Sequence, residues 1–240
     1  MIQFIGALIS GLNLGSIYAL IALGYTMVYG IAKMLNFAHG DIIMVGAYSV
    51  IVSAVTLKLP PVVAILIAVV VCAALGVTIE FLAYRSLRQS PPLAVLITAI
   101  GVSYLLQNLA LLIFGPEQKS TPALFDLPSL TLGGVTVDGI TLLTLGVTAA
   151  IMVGLTLFIN LTRMGKAMRA VSEDRDAAEL MGISVNKTIT ITFAIGSALA
   201  AVASVFFGAT YTYIKPTTGS MPGIKAFTAA VFGGIGSIPG

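Results

Sequence analysis

Charged side chains are scarce in this chain of 240 residues. They make up 9% of it, whereas hydrophobic residues make up 58% and the mean hydropathy is +1.06. Soluble globular domains carry about 25% charged residues, so the composition excludes an ordinary soluble domain. It predicts an all-α, polytopic helical membrane protein in a lipid bilayer. The formal charge of +3 does not indicate a nucleic-acid partner, because the basic residues cluster beside apolar runs, where they determine membrane topology.

Side chains suited to catalysis or metal binding are also few. The single cysteine, Cys72, lies in an apolar run, which excludes a disulfide or a cysteine metal site within the chain. One histidine cannot build a multi-histidine metal site. Gly165 and Lys166 are followed by alanine and lack the upstream glycine of a P-loop. We therefore expect no catalytic residue, no metal and no cofactor, and we expect any source of energy to be another subunit.

Apolar runs account for most of the chain. The N-terminus lacks the basic region and the cleavage site of a removable signal peptide, so the first run is expected to be a retained span. The last run ends without polar flanks, which indicates a chain that is incomplete at its C-terminus. We predict about seven spans in a single transmembrane domain, residues 1–240. The runs are Ile2 to Tyr29, Ile42 to Leu57, Val62 to Tyr84, Leu93 to Phe114, Ile140 to Leu161, Ile189 to Tyr213 and Ile224 to Gly240.

Small residues recur every four positions in two of these runs. This spacing puts them on one face of a helix and predicts the close approach of another helix. The first run has Gly11, Gly15 and Ala19, and the sixth has Gly196, Ala200, Ser204 and Gly208.

Polar residues interrupt the chain between the first two runs. The stretch GIAKMLNFAHGD, residues 30–41, is either a tight cytoplasmic turn or a broken helix. The short run that follows favours non-helical backbone, which is tolerated at membrane depth only inside protein or beside a cavity. A lone histidine is more often a structural group than a relay, and a buried asparagine often has the same role. The candidates for the translocation path or its gate are Asn13, Asn36, Phe37, His39, Gly40 and Asp41.

Basic clusters determine the predicted topology. Arg85 and Arg88 follow the third run, and five further basic residues lie in residues 162–187, so both segments are predicted to be cytoplasmic. Residues 115–138 are then extracytoplasmic. In that loop LTL and VTV flank Gly133 and Gly134, which predicts a β-hairpin with a two-residue turn.

The one long polar passage is TRMGKAMRAVSEDRDAAELMGISVNK, residues 162–187. Its second half predicts a short helix from about Glu173 to Met181, with Ser172 as N-cap and Gly182 in the left-handed conformation after its end. A helix of about ten residues is marginal alone in water, so we expect a docking partner. A small apolar centre with a charged rim is typical of a transient interface. The competing interpretation is a solvated amphipathic loop with no partner.

Three segments together resemble one transporter family. DAAELMG, Asp176 to Gly182, resembles the EAA---G signature of ABC-importer permeases, with aspartate in place of the first glutamate. Together with GLNLGSIYALIALGYTMVYGIAKMLNFAHGD upstream and FGGIGSIPG at the end, it is similar to the LivH-type permeases of branched-chain amino acid importers. That family usually has further spans after the glycine-rich motif, and this chain departs from the pattern there.

The resemblance implies an ABC-importer permease fold in the cytoplasmic (inner) membrane of a prokaryote. It implies a coupling helix that docks into a cleft of an ATPase subunit. The implied partners are a second homologous permease subunit, two ATPase subunits on the cytoplasmic face and an extracytoplasmic substrate-binding protein. The residues expected to couple the permease to the ATPase, from this resemblance and from the charged rim of the helix, are Asp174, Asp176, Ala177, Ala178, Glu179, Leu180 and Gly182.

The indicated function is therefore translocation of branched-chain or similar amino acids, driven by separate ATPase subunits. Permeases for urea or short-chain amides are closely similar, and the sequence does not identify the substrate. A self-sufficient secondary carrier, with Lys33, His39 and Asp41 as an ion site, is the alternative from another class. It is disfavoured because such a carrier is expected to hold more ionisable residues at mid-membrane depth and needs no docking helix.

Overall fold

The computed structural model describes residues 2–132 and 135–237. In these two ranges, six helices are long and apolar enough to cross a membrane: Phe4–Ala32, His39–Thr56, Pro61–Leu87, Pro92–Phe114, Gly139–Leu161 and Val185–Thr210. A shorter helix of 13 residues, Ser220–Phe232, follows them. The prediction of an all-α membrane protein with roughly this number of spans is confirmed.

The helices of the described ranges are numbered in chain order. They are α1 (Ile2–Ala32), α2 (His39–Ile51), α3 (Pro61–Ile79), α4 (Pro92–Phe114), α5 (Gly139–Leu161), α6 (Arg163–Glu173), α7 (Arg175–Leu180), α8 (Val185–Thr210) and α9 (Ser220–Phe232). A π-helical turn, Val52–Thr56, prolongs α2, and a second one, Glu80–Tyr84, prolongs α3 together with the 3₁₀ turn Arg85–Leu87. Both α3 and α4 begin with proline, whose fixed φ and missing N–H suit the first helical position.

The described residues include four short strands, which form two antiparallel pairs. They are β1 (Lys119–Ser120), β2 (Leu130–Leu132), β3 (Val135–Val137) and β4 (Tyr213–Ile214). β1 pairs with β4, and β2 pairs with β3 in the register that places Leu132 opposite Val135. The predicted hairpin between α4 and α5 is therefore present. Its predicted turn at Gly133 and Gly134 lies outside the described residues.

Helix α8 lies at the centre of the bundle, against α1, α2 and α3. Its small residues permit the close approach that their spacing predicts. A Cβ atom added at Gly196 would lie 3.1 Å from Val28 Cγ2 and 3.2 Å from the Gly24 carbonyl oxygen of α1. Any larger residue at this position would separate α8 from α1.

The small residues of α1 have a different environment. A Cβ atom added at Gly11 or Gly15 would have no neighbour within 4 Å in the part of the chain that the structure describes, and Ala19 is exposed. The close packing predicted for this face is therefore not made within the described part of the chain.

At one end of the bundle two arginine side chains bind helix ends. At one end α1 and α3 terminate and α8 begins, and Arg88 donates a hydrogen bond to Asn186 of α8 there. Arg175 of α7 donates to the carbonyl oxygen of Ala32 at the same end. We call this end the basic end. At the opposite end β1 pairs with β4.

The polar passage contains two helices where the sequence predicts one, and the predicted N-cap is wrong. Ser172 lies inside α6, where its hydroxyl donates to the Arg169 carbonyl oxygen at 2.7 Å. The backbone is extended at Asp174, with φ −151°, and α7 begins after it. The physical reason is that the Asp174 carboxylate binds the backbone N–H of a new helix, which competes with continuation of α6.

The last helix also has other boundaries than the predicted run from Ile224 to Gly240. It begins earlier, at Ser220, and ends at Phe232. Gly234 and Gly236 have φ values of +87° and +104°, which a helix does not allow. Residues 238–240 lie outside the description.

Candidate functional site

Helix α7 is short but capped at both ends. The Asp174 carboxylate accepts a hydrogen bond from the Ala177 amide at 3.0 Å, which satisfies a free N–H group at the start of the helix. Gly182 has φ +80°, and its amide donates to the Glu179 carbonyl oxygen at 2.9 Å. The left-handed glycine predicted here is confirmed, since glycine adopts this conformation without steric cost. The two caps define a helix that is too short to be stable alone.

The residues assigned to coupling lie on two sides of α7. Ala178 is 3% exposed and belongs to the core of the bundle. Leu180 and Met181 are 89% and 82% exposed, so two large apolar side chains face solvent at the basic end. The remaining residues of the set are exposed as well: Asp174, Asp176, Ala177, Glu179 and Gly182. The apolar patch available to a partner is smaller than the sequence predicts, because the chain's own fold uses Ala178.

Buried Glu80 joins two helices at the basic end. Its side chain is 0% exposed and forms an ion pair with Arg88. It also accepts a hydrogen bond from Thr190 of α8 at 2.7 Å. A buried carboxylate needs such partners, because an uncompensated charge inside a protein is costly. Beside this network lies a polar groove of about 520 Å³, lined by residues of α7 and by Arg88 and Asn186.

The chain is broken between α1 and α2. Residues 33–38 are not helical. The Asn36 amide oxygen accepts a hydrogen bond from Tyr84 Oη at 3.0 Å near the basic end, whereas the Ile42 carbonyl oxygen lies 3.5 Å from Cys72 Sγ. Tyr84 and Cys72 are roughly 18 Å apart along the helix axis at 1.5 Å per residue. The non-helical residues therefore run back into the bundle, and of the two interpretations of this stretch the structure has the broken helix.

Helix α9 also begins inside the bundle, next to the start of α2. A Cβ atom added at Gly223 of α9 would lie 2.9 Å from the Gly40 Cα atom of α2. A Cβ atom added at Gly30, near the end of α1, would lie 3.1 Å from Gly236 Cα, so the chain after α9 reaches the basic end. Helix α2 runs in the opposite direction, away from the basic end. Two helix N-termini therefore meet inside the bundle. We call this place the junction, and it consists of residues 39–41 and 219–223.

Asp41 supplies the negative charge of the junction. It is buried, and its carboxylate accepts hydrogen bonds from Ser103 Oγ and, at 3.0 Å, from Gln107 Nε2 of α4. Gln107 also donates to Ser220 Oγ of α9 at 3.1 Å. A carboxylate is favourable beside helix N-termini, where the macrodipole is positive. Asp41 therefore complements two helix ends, and Gln107 joins α2, α4 and α9 through side chains.

Two of the predicted path residues are polar groups buried at the break. Asn36 is bound to Tyr84 through its oxygen, but its amide nitrogen has no partner among the described residues. The His39 ring meets the Tyr25 ring edge to face, with 4.7 Å between centroids. Neither ring nitrogen of His39 has a hydrogen-bond partner in the described part of the chain. Buried polar groups without partners are rare in proteins, so these two positions are unusual.

The other predicted path residues divide into two places. Phe37 is half-buried and contacts the Phe227 ring of α9, with 5.1 Å between centroids. Asn13 lies roughly 16 Å along α1 from Gly24, the residue that contacts His39. The structure brings together Asn36, Phe37, His39, Gly40 and Asp41, and it separates Asn13 from them.

Two grooves flank α9. One, of about 330 Å³, lies between α1, α5 and α9 and includes Ala19, Thr26 and Thr148. The other, of about 460 Å³, opens toward the end opposite the basic end and includes Tyr18 and Lys225. Both volumes fall within the usual range of small-molecule pockets, about 300–1,000 Å³.

Sequence reasoning missed several residues of the site. Ser103 and Ser220 give no signal of their own, because their partners lie 62 and 113 residues away in the chain. Arg175 does carry a signal, since it is the basic residue within the acidic stretch EDRDAAE. Among the described residues, no group of three or more His, Cys, Asp or Glu side chains could hold a metal.

Comparison with known proteins places the chain in a family. Residues 7–240 match the family described as branched-chain amino acid transport system / permease component. The chain is 45% identical to the high-affinity branched-chain amino acid transport system permease protein BraD of Pseudomonas aeruginosa, over 99% of this chain and 81% of that protein. It is 43% identical to the permease protein LivH of the same kind of system in Escherichia coli K12, over 100% of this chain and 82% of that protein.

A third relative is more distant. The chain is 29% identical to the probable branched-chain amino acid transport permease protein LivH of Methanocaldococcus jannaschii, over 94% of this chain and 72% of that protein. No solved structure matches the chain significantly. The resemblance to LivH-type permeases is confirmed. The chain belongs to the family of permease components of branched-chain amino acid transport systems.

Proposed function

We propose that this chain is the membrane-spanning permease subunit of an ATP-binding-cassette importer for branched-chain or similar amino acids. It provides the path through the membrane, and separate ATPase subunits provide the energy. The substrate class is supported by the names of BraD and LivH, which are branched-chain amino acid transport proteins. The permease role is supported by a bundle of apolar helices with a polar passage, residues 162–187, at the basic end.

The observation that carries the proposal is the construction of α7. Its caps and its buried Ala178 hold it against the bundle, while Leu180 and Met181 project into solvent. Contiguous exposed apolar patches with a polar rim mark interaction sites, and Leu180 and Met181 are adjacent and lie beside charged residues. A partner that buries these two side chains would hold a rigid element of the permease. An ATPase subunit is the partner that fits an importer.

The proposal includes a topology and an assembly. The basic end is cytoplasmic, because basic residues favour that side, and residues 115–138 are extracytoplasmic. The membrane is the inner membrane of a prokaryote. The partners are a second homologous permease subunit, two ATPase subunits and an extracytoplasmic substrate-binding protein. The exposed small residues of α1, Gly11 and Gly15, support a second membrane subunit, since small residues permit close helix packing in lipid.

Reconstitution tests the proposal directly. The chain is purified with a second permease, the ATPase subunits and the binding protein, and the complex is placed in proteoliposomes. We expect ATP-dependent uptake of leucine, isoleucine or valine, and none of urea or acetamide. Uptake of the amides instead would reassign the substrate. Uptake by the chain alone, without ATPase subunits, would contradict the importer and support a secondary carrier.

Leu180→Ser tests the docking surface. Burying a leucine side chain contributes about 1.5–3 kcal/mol, so the substitution should weaken ATPase binding at least about tenfold. Leu161→Ser is the matched control, because Leu161 is 70% exposed at the end of α5 on the same side of the bundle. Equal ATPase binding by both variants would remove α7 from the interface.

A further inference from the structure

Arg175 connects α7 to the rest of the bundle through two backbone carbonyl groups. Its Nη2 atom donates to the Ala32 carbonyl oxygen, and its Nη1 atom donates to the Arg88 carbonyl oxygen at 3.3 Å. Ala32 is the last residue of α1. Among the described residues, this is the hydrogen bond that joins α7 to α1.

The Ala32 carbonyl group lies at the C-terminal end of α1, where a guanidinium group can cap the helix. The last carbonyl groups of a helix have no partner within the helix, and the C-terminal end of the macrodipole is negative. Arg175 therefore caps α1 with a positive charge. Burial, together with the nearby Arg88 guanidinium, lowers the pKa of Arg175, whereas Asp176 raises it. An arginine retains its charge in such surroundings.

The capped end of α1 is also the start of the break. Lys33 follows Ala32 with φ +54°, a left-handed conformation that is uncommon for a residue with a side chain. Residues 33–38 then lead back to His39 and the junction. Movement of the Ala32 carbonyl therefore changes the position from which this segment enters the bundle.

The second contact of Arg175 is with the Arg88 carbonyl oxygen, and the Arg88 side chain has other hydrogen-bond partners. Arg88 binds Glu80 and Asn186, so the end of α3 and the start of α8 stay joined without Arg175. The link from α7 to α1 has no comparable support in the polar contacts of the described residues. The loss of Arg175 should therefore release α1 from α7 and leave the α3–α8 contact intact.

We infer that Arg175 is a positioning residue that transmits movement of α7 to the end of α1, and from there through residues 33–38 to the junction. This inference rests on the proposed function, in which an ATPase subunit moves α7. Arg175 acts through the backbone of α1 and contacts neither substrate nor nucleotide. Its loss should uncouple ATP hydrolysis from transport and should leave docking of the ATPase unchanged.

The test uses the complete importer in proteoliposomes. Arg175→Met keeps an unbranched side chain and removes the hydrogen-bond donors. Arg175→Lys keeps the positive charge and can donate to one of the two carbonyl groups. The matched control is Arg169→Met, because Arg169 of α6 is exposed and donates to the backbone carbonyl oxygen of Asn160 at 3.4 Å. The measurements are ATPase co-purification, ATP hydrolysis stimulated by the loaded binding protein, and amino acid taken up per ATP hydrolysed.

We expect Arg175→Met to lower uptake per ATP about tenfold with normal ATPase co-purification, since hydrogen bonds to charged groups are the stronger ones. Arg175→Lys should recover part of the loss, and Arg169→Met should leave the ratio unchanged. An unchanged ratio in Arg175→Met would overturn the inference. Loss of co-purification in both Met and Lys variants would also overturn it, since Arg175 would then be a docking residue.

Failure of Arg175→Met to assemble and failure of the proposed function can each be distinguished from failure of the inference. If Arg175→Met does not assemble, the ratio in Arg175→Lys decides: a lowered ratio supports the inference, and a normal ratio contradicts it. Failure of the proposed function has a different signature, because the unsubstituted complex would then show no ATP-dependent uptake.

Discussion

Gly223→Ala should force α9 away from α2 at the junction. The added Cβ atom would lie 2.9 Å from Gly40 Cα and 3.2 Å from Tyr25 Oη, and the first of these neighbours is backbone that cannot rotate away. Overpacking of this kind costs about 1–3 kcal/mol. Alanine is more favourable than glycine inside a helix by about 0.5–1 kcal/mol, and this gain offsets part of the steric cost.

The steric cost can be isolated with a matched variant. Gly154→Ala in α5 adds the same methyl group to a helix, but no atom of the described residues lies within 4 Å of its Cβ position. The difference in stability between the two variants should therefore be about 1–3 kcal/mol, which corresponds to roughly 2–12 °C in melting temperature for a chain of this size. The assay is thermal denaturation of the purified complex, combined with uptake. Equal melting temperatures would show that α2 and α9 are not in close contact at Gly223.

Two further predictions test topology and the break. In a Cys72→Ser background, a cysteine that replaces Lys119 should react with a membrane-impermeant maleimide added outside. A cysteine that replaces Leu180 should react only after permeabilisation. The reverse pattern would contradict the proposed topology. Asn36→Ala and His39→Ala should each lower uptake about tenfold with near-normal assembly, because each removes a buried polar group at the break. Thr156→Ala is the control, since Thr156 is bonded within its own helix at the bundle surface. Normal uptake in both test variants would show that Asn36 and His39 have only a structural role.

Features that depend on local chemistry could be predicted from the sequence. The spans follow from runs of apolar residues, because backbone polar groups in lipid must be satisfied within helices. The left-handed conformation of Gly182 follows from its place after a short helix, since other residues meet a steric cost there. The β2–β3 pairing follows from alternation around a turn signal. Each of these signals lies within a few neighbouring residues.

Features that depend on distant contacts could not be predicted. The string KMLNFAHGD is compatible with a turn at the membrane surface or with a break inside the bundle. The outcome depends on contacts such as that between Asn36 and Tyr84, which are 48 residues apart. Ser172 and Asp174 are both good N-cap residues, so their local chemistry does not choose between them. The fold favours Asp174 over Ser172 as the N-cap, because the next residue, Arg175, then reaches the end of α1.

The charge balance of the junction determines what it can bind in this conformation. Half-helices whose N-termini lie at mid-membrane depth are places where transporters bind anionic groups of their substrates. At this junction Asp41 already supplies the negative charge, and Ser103 and Gln107 hold it in place. The carboxylate of an amino acid would therefore meet Asp41 instead of an uncompensated positive helix end, and like charges at short range repel. If an amino acid passes through the junction, as the proposed path residues imply, the contact between Gln107 and Ser220 must open and α9 must separate from α2. In the role inferred for Arg175, the non-helical residues 33–38 would carry movement at the basic end to this contact.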